Sequence, residues 1–261
     1  MNGFRVRDRV FSGGTHIMGI LNLTPDSFYA PSRAGDDVAR RALEMLSDGA
    51  EIIDIGGQST RPGHGEVSAL EELARVLPAV AAIREVSDCI LSVDTYYPEV
   101  AEAVLDAGAD MINDVSGLRY KGLAEAVAAR GASICLMHNR RESGECDLMT
   151  DKLTGLIALA DKAEGAGIAR DAVLLDGGIG FNKSADEDWY LLDHYEMLAA
   201  AGYPLLLGTS RKSMFGGAPE SRLTATMESS ALAAKKGILF VRVHDVRENL
   251  IAIRAAKGER L

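Results

Sequence analysis

The sequence predicts a (β/α)8 barrel preceded by a short β-hairpin. Three observations predict it. Eight short apolar runs alternate with helical stretches, and strict β/α alternation implies a parallel sheet. Eight such units in 261 residues match the size of one barrel. Polar and ionisable residues recur at the C-terminal ends of the apolar runs, the rim where barrels of this kind keep their sites. A doubly wound open sheet is the structural alternative, but residues 19–24 after the first run lack the G-x-G-x-x-G turn. The chain reads as a single domain over residues 1–261.

The elements follow in order. Residues 4–11 alternate apolar and basic positions before Gly13-Gly14, a pattern for a short exposed strand or hairpin ahead of the main fold. Residues 16–22 are the first buried strand, opening into a loop with Pro25 and Pro31. Val38, Ala42, Met45 and Leu46 keep helical spacing over residues 37–48, and Gly49 ends that helix. Residues 51–56 form the second strand, and Ser68 with Glu71 reads as a capping box for a helix that Pro78 would kink. Further strands are predicted at 90–94, 111–114, 133–137, 173–176, 204–207 and 238–243. Helices are predicted at 98–107, 122–130, 151–165, 188–201 and 222–236, with a last one capped by Asp245 and Glu248.

Composition narrows the function. Acidic residues outnumber Lys and Arg by 38 to 28, a net charge of −10, which argues against a nucleic-acid partner. Cys89, Cys135 and Cys146 show neither paired nor metal-like spacing, as in a reducing compartment. There is no secretory n-region and h-region, and no apolar run approaches membrane-spanning length. The expectation is a cytoplasmic protein without a membrane partner.

The chemistry gathers at the strand ends: Asn22, Asp54, Asp94, Asn113, Asp176, Lys212, Arg242 and His244. One polar residue at a strand end is ordinarily a cap or turn. Eight on one rim, amides and carboxylates together, are hard to explain as caps. Buried carboxylates need partners, and a heterocycle rich in N–H groups supplies them. The rim also has an anion side, where Ser59, Thr60, Arg61, Arg242 and His244 offer donors to phosphate oxygens. Arg211 and Lys212 read equally as a phosphate grip or a solvated turn. Arg242 and His244, two apart on a strand, point the same way. No H-E-x-x-H or Cys/His cluster suggests zinc. A hard cation held by Asn22 and diphosphate oxygens is compatible with these residue types.

Seven blocks carry a family likeness: residues 18–28, 52–62, 92–95, 112–117, 178–181, 208–213 and 242–245. On them the chain resembles the dihydropteroate synthase family of the folate pathway, over nearly its whole length. Each block alone is weak, whereas seven in the right order are specific. The resemblance implies condensation of 7,8-dihydropterin-6-ylmethyl diphosphate with 4-aminobenzoate, giving 7,8-dihydropteroate and diphosphate. It also implies Mg2+ as cofactor, with Asn22 as its ligand, and a homodimer. Carried over by position, Asp94, Asn113, Asp176 and Lys212 hold the pterin, with Asp54 beside it and Met137 in the same substrate pocket. Arg242 and His244 hold the diphosphate. Ser59, Thr60, Arg61, Pro62, Phe28, Phe181 and Ser213 shape the aminobenzoate side. Asp94, Lys212, Arg242 and Arg61 are the residues expected to carry catalysis.

Some positions depart from the family pattern. Gln58 stands where Glu is frequent, and Asn182 where Gly is common. Gly177 follows Asp176 where Pro is usual, an exchange expected to loosen that turn. Tyr29-Ala30-Pro31 replaces a Ser/Asp/Gly-rich run, Asn139-Arg140-Arg141 after His138 is a variant loop, and residues 227–230 replace small residues. A pterin-binding methyltransferase acting on a corrinoid protein is the rival enzyme class. It needs neither the Ser-Thr-Arg loop nor the Arg242-x-His244 pair. A non-catalytic pterin-binding relative is expected to lose Lys212, Arg61 or Asn22, and this chain keeps all three.

Overall fold

A computed structural model describes residues 3–23, 34–58, 67–139 and 147–259. Strands β1 (Phe4–Val6) and β2 (Arg9–Phe11) form an antiparallel hairpin with Phe4 opposite Phe11. Eight parallel strands then close a barrel. They are β3 (His16–Asn22), β4 (Ile52–Gly56), β5 (Ile90–Asp94), β6 (Met111–Asp114), β7 (Ser133–Met137), β8 (Val173–Asp176), β9 (Leu205–Leu207) and β10 (Phe240–Val243). Strand β10 pairs with β3 to complete the ring. Helices α1 (Ala34–Ser47), α2 (Ala69–Val86), α3 (Pro98–Asp106), α4 (Leu123–Ala129), α5 (Leu148–Gly165), α6 (Ala185–Asp193), α7 (Leu223–Lys236) and α8 (Val246–Ala256) lie between and after the strands. The predicted barrel and hairpin are both present, but the hairpin is not the exposed one expected, because Phe4, Val6 and Phe11 are buried against the barrel end.

The period of two along each strand divides the core in two. Ile53, Ile55, Leu91, Val93, Ile134 and Leu136 point outward into the layer shared with the helices. Met18, Ile52, Ile90, Met111, Cys135, Leu174, Leu206 and Phe240 point inward and fill the lower barrel. The hairpin closes that end. Phe4, Val6 and Phe11 join the inner cluster, and the Phe4 and Phe11 rings meet Phe240 edge-on at centroid distances of 5.8 and 5.0 Å. Its arginines reach the bases of different strands: Arg5 pairs with Asp171, Arg7 with Asp88 and Asp110, and Arg9 with Glu51.

Helix α2 runs as one element through Pro78, from the predicted cap Ser68, whose Oγ accepts from Glu71 N at 3.3 Å. Three predicted details are corrected. The helix predicted over 188–201 begins earlier, at a complete Ser184/Glu187 capping box, and stops at Asp193. Residues Tyr195–Ala201 form a 3-10 turn after His194 leaves helical geometry. Residues 238–239 are not strand, because Ile238 N closes the end of α7 on Ala233 O. Asp245 makes no side-chain cap for α8, since both of its carboxylate oxygens take Arg211, at 3.0 and 2.6 Å. Arg211 is thereby a structural ion pair rather than a phosphate grip. No helix among the described residues is long and apolar enough to cross a membrane.

Candidate active site

The same period that sends Ile52, Ile90 and Phe240 into the lower barrel sends Asp54, Asp94 and Arg242 into its upper end, two and four residues along. Asp54 stands beside Ser92, Asp94 beside Asn113, and Met137 beside Asp176 in neighbouring strands. Five strands thus deliver polar groups, and β7 delivers Met137, to the C-terminal rim.

An ion-paired network spans it. Arg242 donates from Nε to Asp54 Oδ2 at 2.6 Å and from Nη2 to Asp94 Oδ2 at 2.8 Å. Asn113 Nδ2 donates to the same Asp54 oxygen at 3.1 Å. Burial disfavours the Arg242 charge, but Asp54 and Asp94 outweigh it and hold the guanidinium above its ordinary range. Burial also pushes the Asp94 carboxyl up to about 7 against the pull of Arg242. The network is incomplete. Asp54 Oδ1, Asp94 Oδ1 and Ser92 Oγ are buried without a hydrogen-bond partner among the described residues. Buried acceptors are ordinarily satisfied, so this rim is built to receive donors from a ligand.

Across the barrel, Asp176 Oδ1 accepts from Gly178 N at 2.7 Å, and burial raises its carboxyl above the usual range. Burial lowers the Lys212 ammonium to about 8, with Asp176 opposing the fall. The Lys212 Nζ lies 4.1 Å from the centre of the Phe181 ring. The Lys212 stem passes so near the backbone that a Cβ on Gly180, where φ is +79°, would lie 2.6 Å from its Cδ. Lys183 and Asp188 hold this turn from behind: Nζ donates to the carbonyls of Gly178 and Phe181, and Asp188 accepts from Gly180 N at 2.9 Å. Ser213 is exposed on the outer side of Lys212, where it lines a cavity of about 420 Å³ with Gly180, Lys183 and Asp188.

At the mouth, His244 Nε2 faces Asn22 Nδ2 at 3.3 Å and Nδ1 faces Ser210 Oγ at 2.9 Å. Which atom donates in each pair follows from the tautomer of the ring, and the Ser210 hydroxyl also accepts from His244 N at 3.1 Å. No group of three or more His, Cys, Asp or Glu able to hold a metal occurs among the described residues. Asn22 Oδ1 remains a suitable oxygen for magnesium, which takes few protein ligands when diphosphate and water complete its shell.

The structure therefore brings together Asn22, Asp54, Asp94, Asn113, Met137, Asp176, Phe181, Lys212, Arg242 and His244, with Ser213 at the edge. Ser59, Thr60, Arg61, Pro62 and Phe28 lie outside the described residues. Sequence reasoning missed Ser92, although it precedes Asp94 by two and shares its inward face. It also missed a buried clasp next to Asp94. Gln58 Nε2 and Thr95 Oγ1 donate to the two oxygens of Glu72 at 3.1 and 2.6 Å, and Tyr96 donates to Gln58 Oε1 at 3.2 Å. Burial pushes the Glu72 carboxyl up to about 7. No local motif signals that clasp, because its members come from three separate segments.

Comparison with known proteins bears directly on this geometry. The family described as pterin binding enzyme matches residues 18–244. A dihydropteroate synthase of Clostridium beijerinckii is 44% identical over 251 residues, covering 93% of this chain and 92% of that protein. The chain belongs to the dihydropteroate synthase family. Its activity is that family's transferase step in folate biosynthesis. Among solved structures of the family, a Clostridium difficile enzyme crystallised in the presence of pteroic acid superposes with a TM-score of 0.91, at 39% identity over 95% of this chain and 97% of that one. A Xanthomonas albilineans enzyme with 4-aminobenzoic acid gives 0.90, at 36% identity over 98% and 97%. The family's barrel is thus the barrel described above.

Proposed function

We propose that the chain joins 7,8-dihydropterin-6-ylmethyl diphosphate to 4-aminobenzoate by a dissociative substitution at the pterin methylene, and that the upper barrel performs it. The observation that carries the reading is the pair of buried, undonated oxygens on Asp54 and Asp94 beside Arg242. A dihydropterin presents ring N–H and amino donors, and the structures of relatives with pteroic acid and 4-aminobenzoic acid support substrates of this kind.

The residues then take separate parts. Asp176 accepts from the pyrimidine N–H and amino groups, and Asn113 and Asp54 line the ring. Lys212 donates to ring acceptors, with Met137 and Phe181 against the ligand. Arg242 bridges Asp54 and Asp94 and has Nη1 to offer the diphosphate, with His244 beside it. A magnesium ion held by Asn22 and the diphosphate would supply charge neutralisation to the leaving group. The carbon–oxygen bond breaks, diphosphate departs with the bonding pair, and the Asp94 carboxylate faces the resulting methylene cation. The neutral amine of 4-aminobenzoate attacks that carbon and then loses its proton. Ser59, Thr60, Arg61, Pro62, Phe28, Phe181 and Ser213 bind the second substrate and exclude water from the cation. A homodimer, carried over from the family, and a cytoplasmic location, read from the unpaired cysteine spacing, are part of the same reading.

The test is direct. Purified protein given the pterin diphosphate, 4-aminobenzoate and magnesium should release diphosphate and form dihydropteroate in equal amounts. Pterin binding without any product would overturn the enzymatic reading.

A further inference from the structure

Behind Asp176 lies a tyrosine that the reaction does not touch. Tyr195 is fully buried, one of the largest enclosed side chains in the chain. Its hydroxyl lies 3.1 Å from Asp176 Oδ1 and 2.6 Å from the Leu206 carbonyl, and it accepts from Gly177 N at 2.8 Å. A phenol has one proton, so it serves either the Leu206 carbonyl or the carboxylate, while the lone pairs take the amide. The hydroxyl thus binds the strand that carries Asp176, the turn just after it and the neighbouring strand β9.

Two irregularities of the chain converge on that atom. The helical pattern that continues to residue 201 breaks at His194, whose φ of −119° lies outside the helical range, and the next residue turns inward. Position 177 holds Gly, so a backbone N–H is present to meet the hydroxyl; Pro, usual there in the family, has none. The Gly177 N–H therefore gives this turn a tie to Tyr195 that a Pro could not make. A Cβ at this position would also lie 2.7 Å from Leu198 Cδ1 and 3.0 Å from Tyr195 Cε2.

We propose that Tyr195 is a positioning residue for pterin recognition: its hydroxyl fixes the Asp176 carboxylate and the Gly177 turn in the orientation that receives the pyrimidine edge. The inference rests on the assignment of Asp176 to the pterin.

Tyr195→Phe removes only the hydroxyl, taking its contacts from Asp176, the Gly177 N–H and the Leu206 carbonyl, and leaves the ring packed. Binding is measured by titration calorimetry with 6-hydroxymethylpterin, and turnover with both substrates. The pterin Kd and the KM for the pterin diphosphate should rise about tenfold, the loss of one buried hydrogen bond. The KM for 4-aminobenzoate at saturating pterin should stay within twofold. Asp176→Asn should weaken the pterin by at least as much, and Tyr195→Phe should add little to it in the double variant, since the tyrosine acts through the carboxylate. A lowered Tm with unchanged pterin affinity would reduce Tyr195 to a packing residue and overturn the proposal. Equal weakening of both substrates, or full additivity with Asp176→Asn, would also overturn it. If Asp176→Asn itself binds pterin normally, the underlying assignment fails instead.

Discussion

The two ends of the barrel are made by the same strands and solve opposite problems. At the lower end Phe4, Phe11 and Phe240 fill the bore, and the hairpin's arginines all meet carboxylates at its rim. At the upper end Asp54, Asp94 and Ser92 each keep a buried oxygen without a donor. One end is satisfied and closed, whereas the other is held short of satisfaction. Unmet polar groups cost stability, and a site that binds its ligand through them recovers that cost only when the ligand arrives. Substitutions below should therefore weaken the fold and spare the chemistry, and substitutions above should do the reverse.

The largest test is Phe11→Ala. It opens a cavity among packed aromatics and should remove about 3–5 kcal/mol of stability. Urea unfolding reads the loss, and kcat per folded molecule should be unchanged; a matching fall in kcat would show that the two ends are coupled. Asp94→Asn should lower kcat by about 100-fold or more, the scale for removing a charge aimed at the transition state. Its urea midpoint should stay level or rise, because a buried carboxylate becomes neutral.

The pH dependence sharpens the same contrast. Glu72 and Asp94 are both pushed up to about 7 by burial. The folded chain therefore binds more protons than the unfolded chain between the ordinary carboxylate range and pH 7. Stability contributed by these groups falls as pH rises through that window and levels off above it. Glu72→Gln should flatten this slope by roughly 2–3 kcal/mol between pH 4.5 and 7.5, as 1.36 kcal/mol per unit implies. Turnover should move the other way, because Asp94 must be ionised to face the cation, so kcat/KM declines as pH drops below 7. The smallest effect is expected at the lower rim. Arg5→Gln removes a pair with Asp171 that is half exposed on the acid's side, and should cost under about 1 kcal/mol, less at high salt.

Departures from the family pattern acquire meaning only in three dimensions. Gln58 replaces a frequent Glu, and its amide donates to the buried Glu72, where a second carboxylate would have no proton to give unless one of the two were neutral. Asn182 takes a left-handed conformation, with φ of +48°, at a position where Gly is common and where Asn is among the residues that tolerate it. Its side chain donates to Asn139 O at 3.1 Å, tying two rim loops together.

What the sequence by itself determined was periodic and local. Alternating runs specified the strands, Gly49 and Ser68 marked helix ends, and the recurrence of Asp54, Asp94 and Asp176 at strand ends placed a polar site on one rim. The reason is geometric: a period of two assigns each strand residue to the bore or the helix layer without knowledge of the other strands. Tertiary structure alone decided the pairings. That Arg242 is the counter-ion of Asp54 and Asp94 depends on closing β10 against β3, across a separation of 188 residues for the longer pair. That Asp245 serves Arg211 rather than its own helix, and that Tyr195 leaves its helix to hold Asp176, are likewise long-range outcomes. Local propensity ranks what a residue can do, but a buried charge or hydroxyl takes the partner that the completed barrel puts within reach.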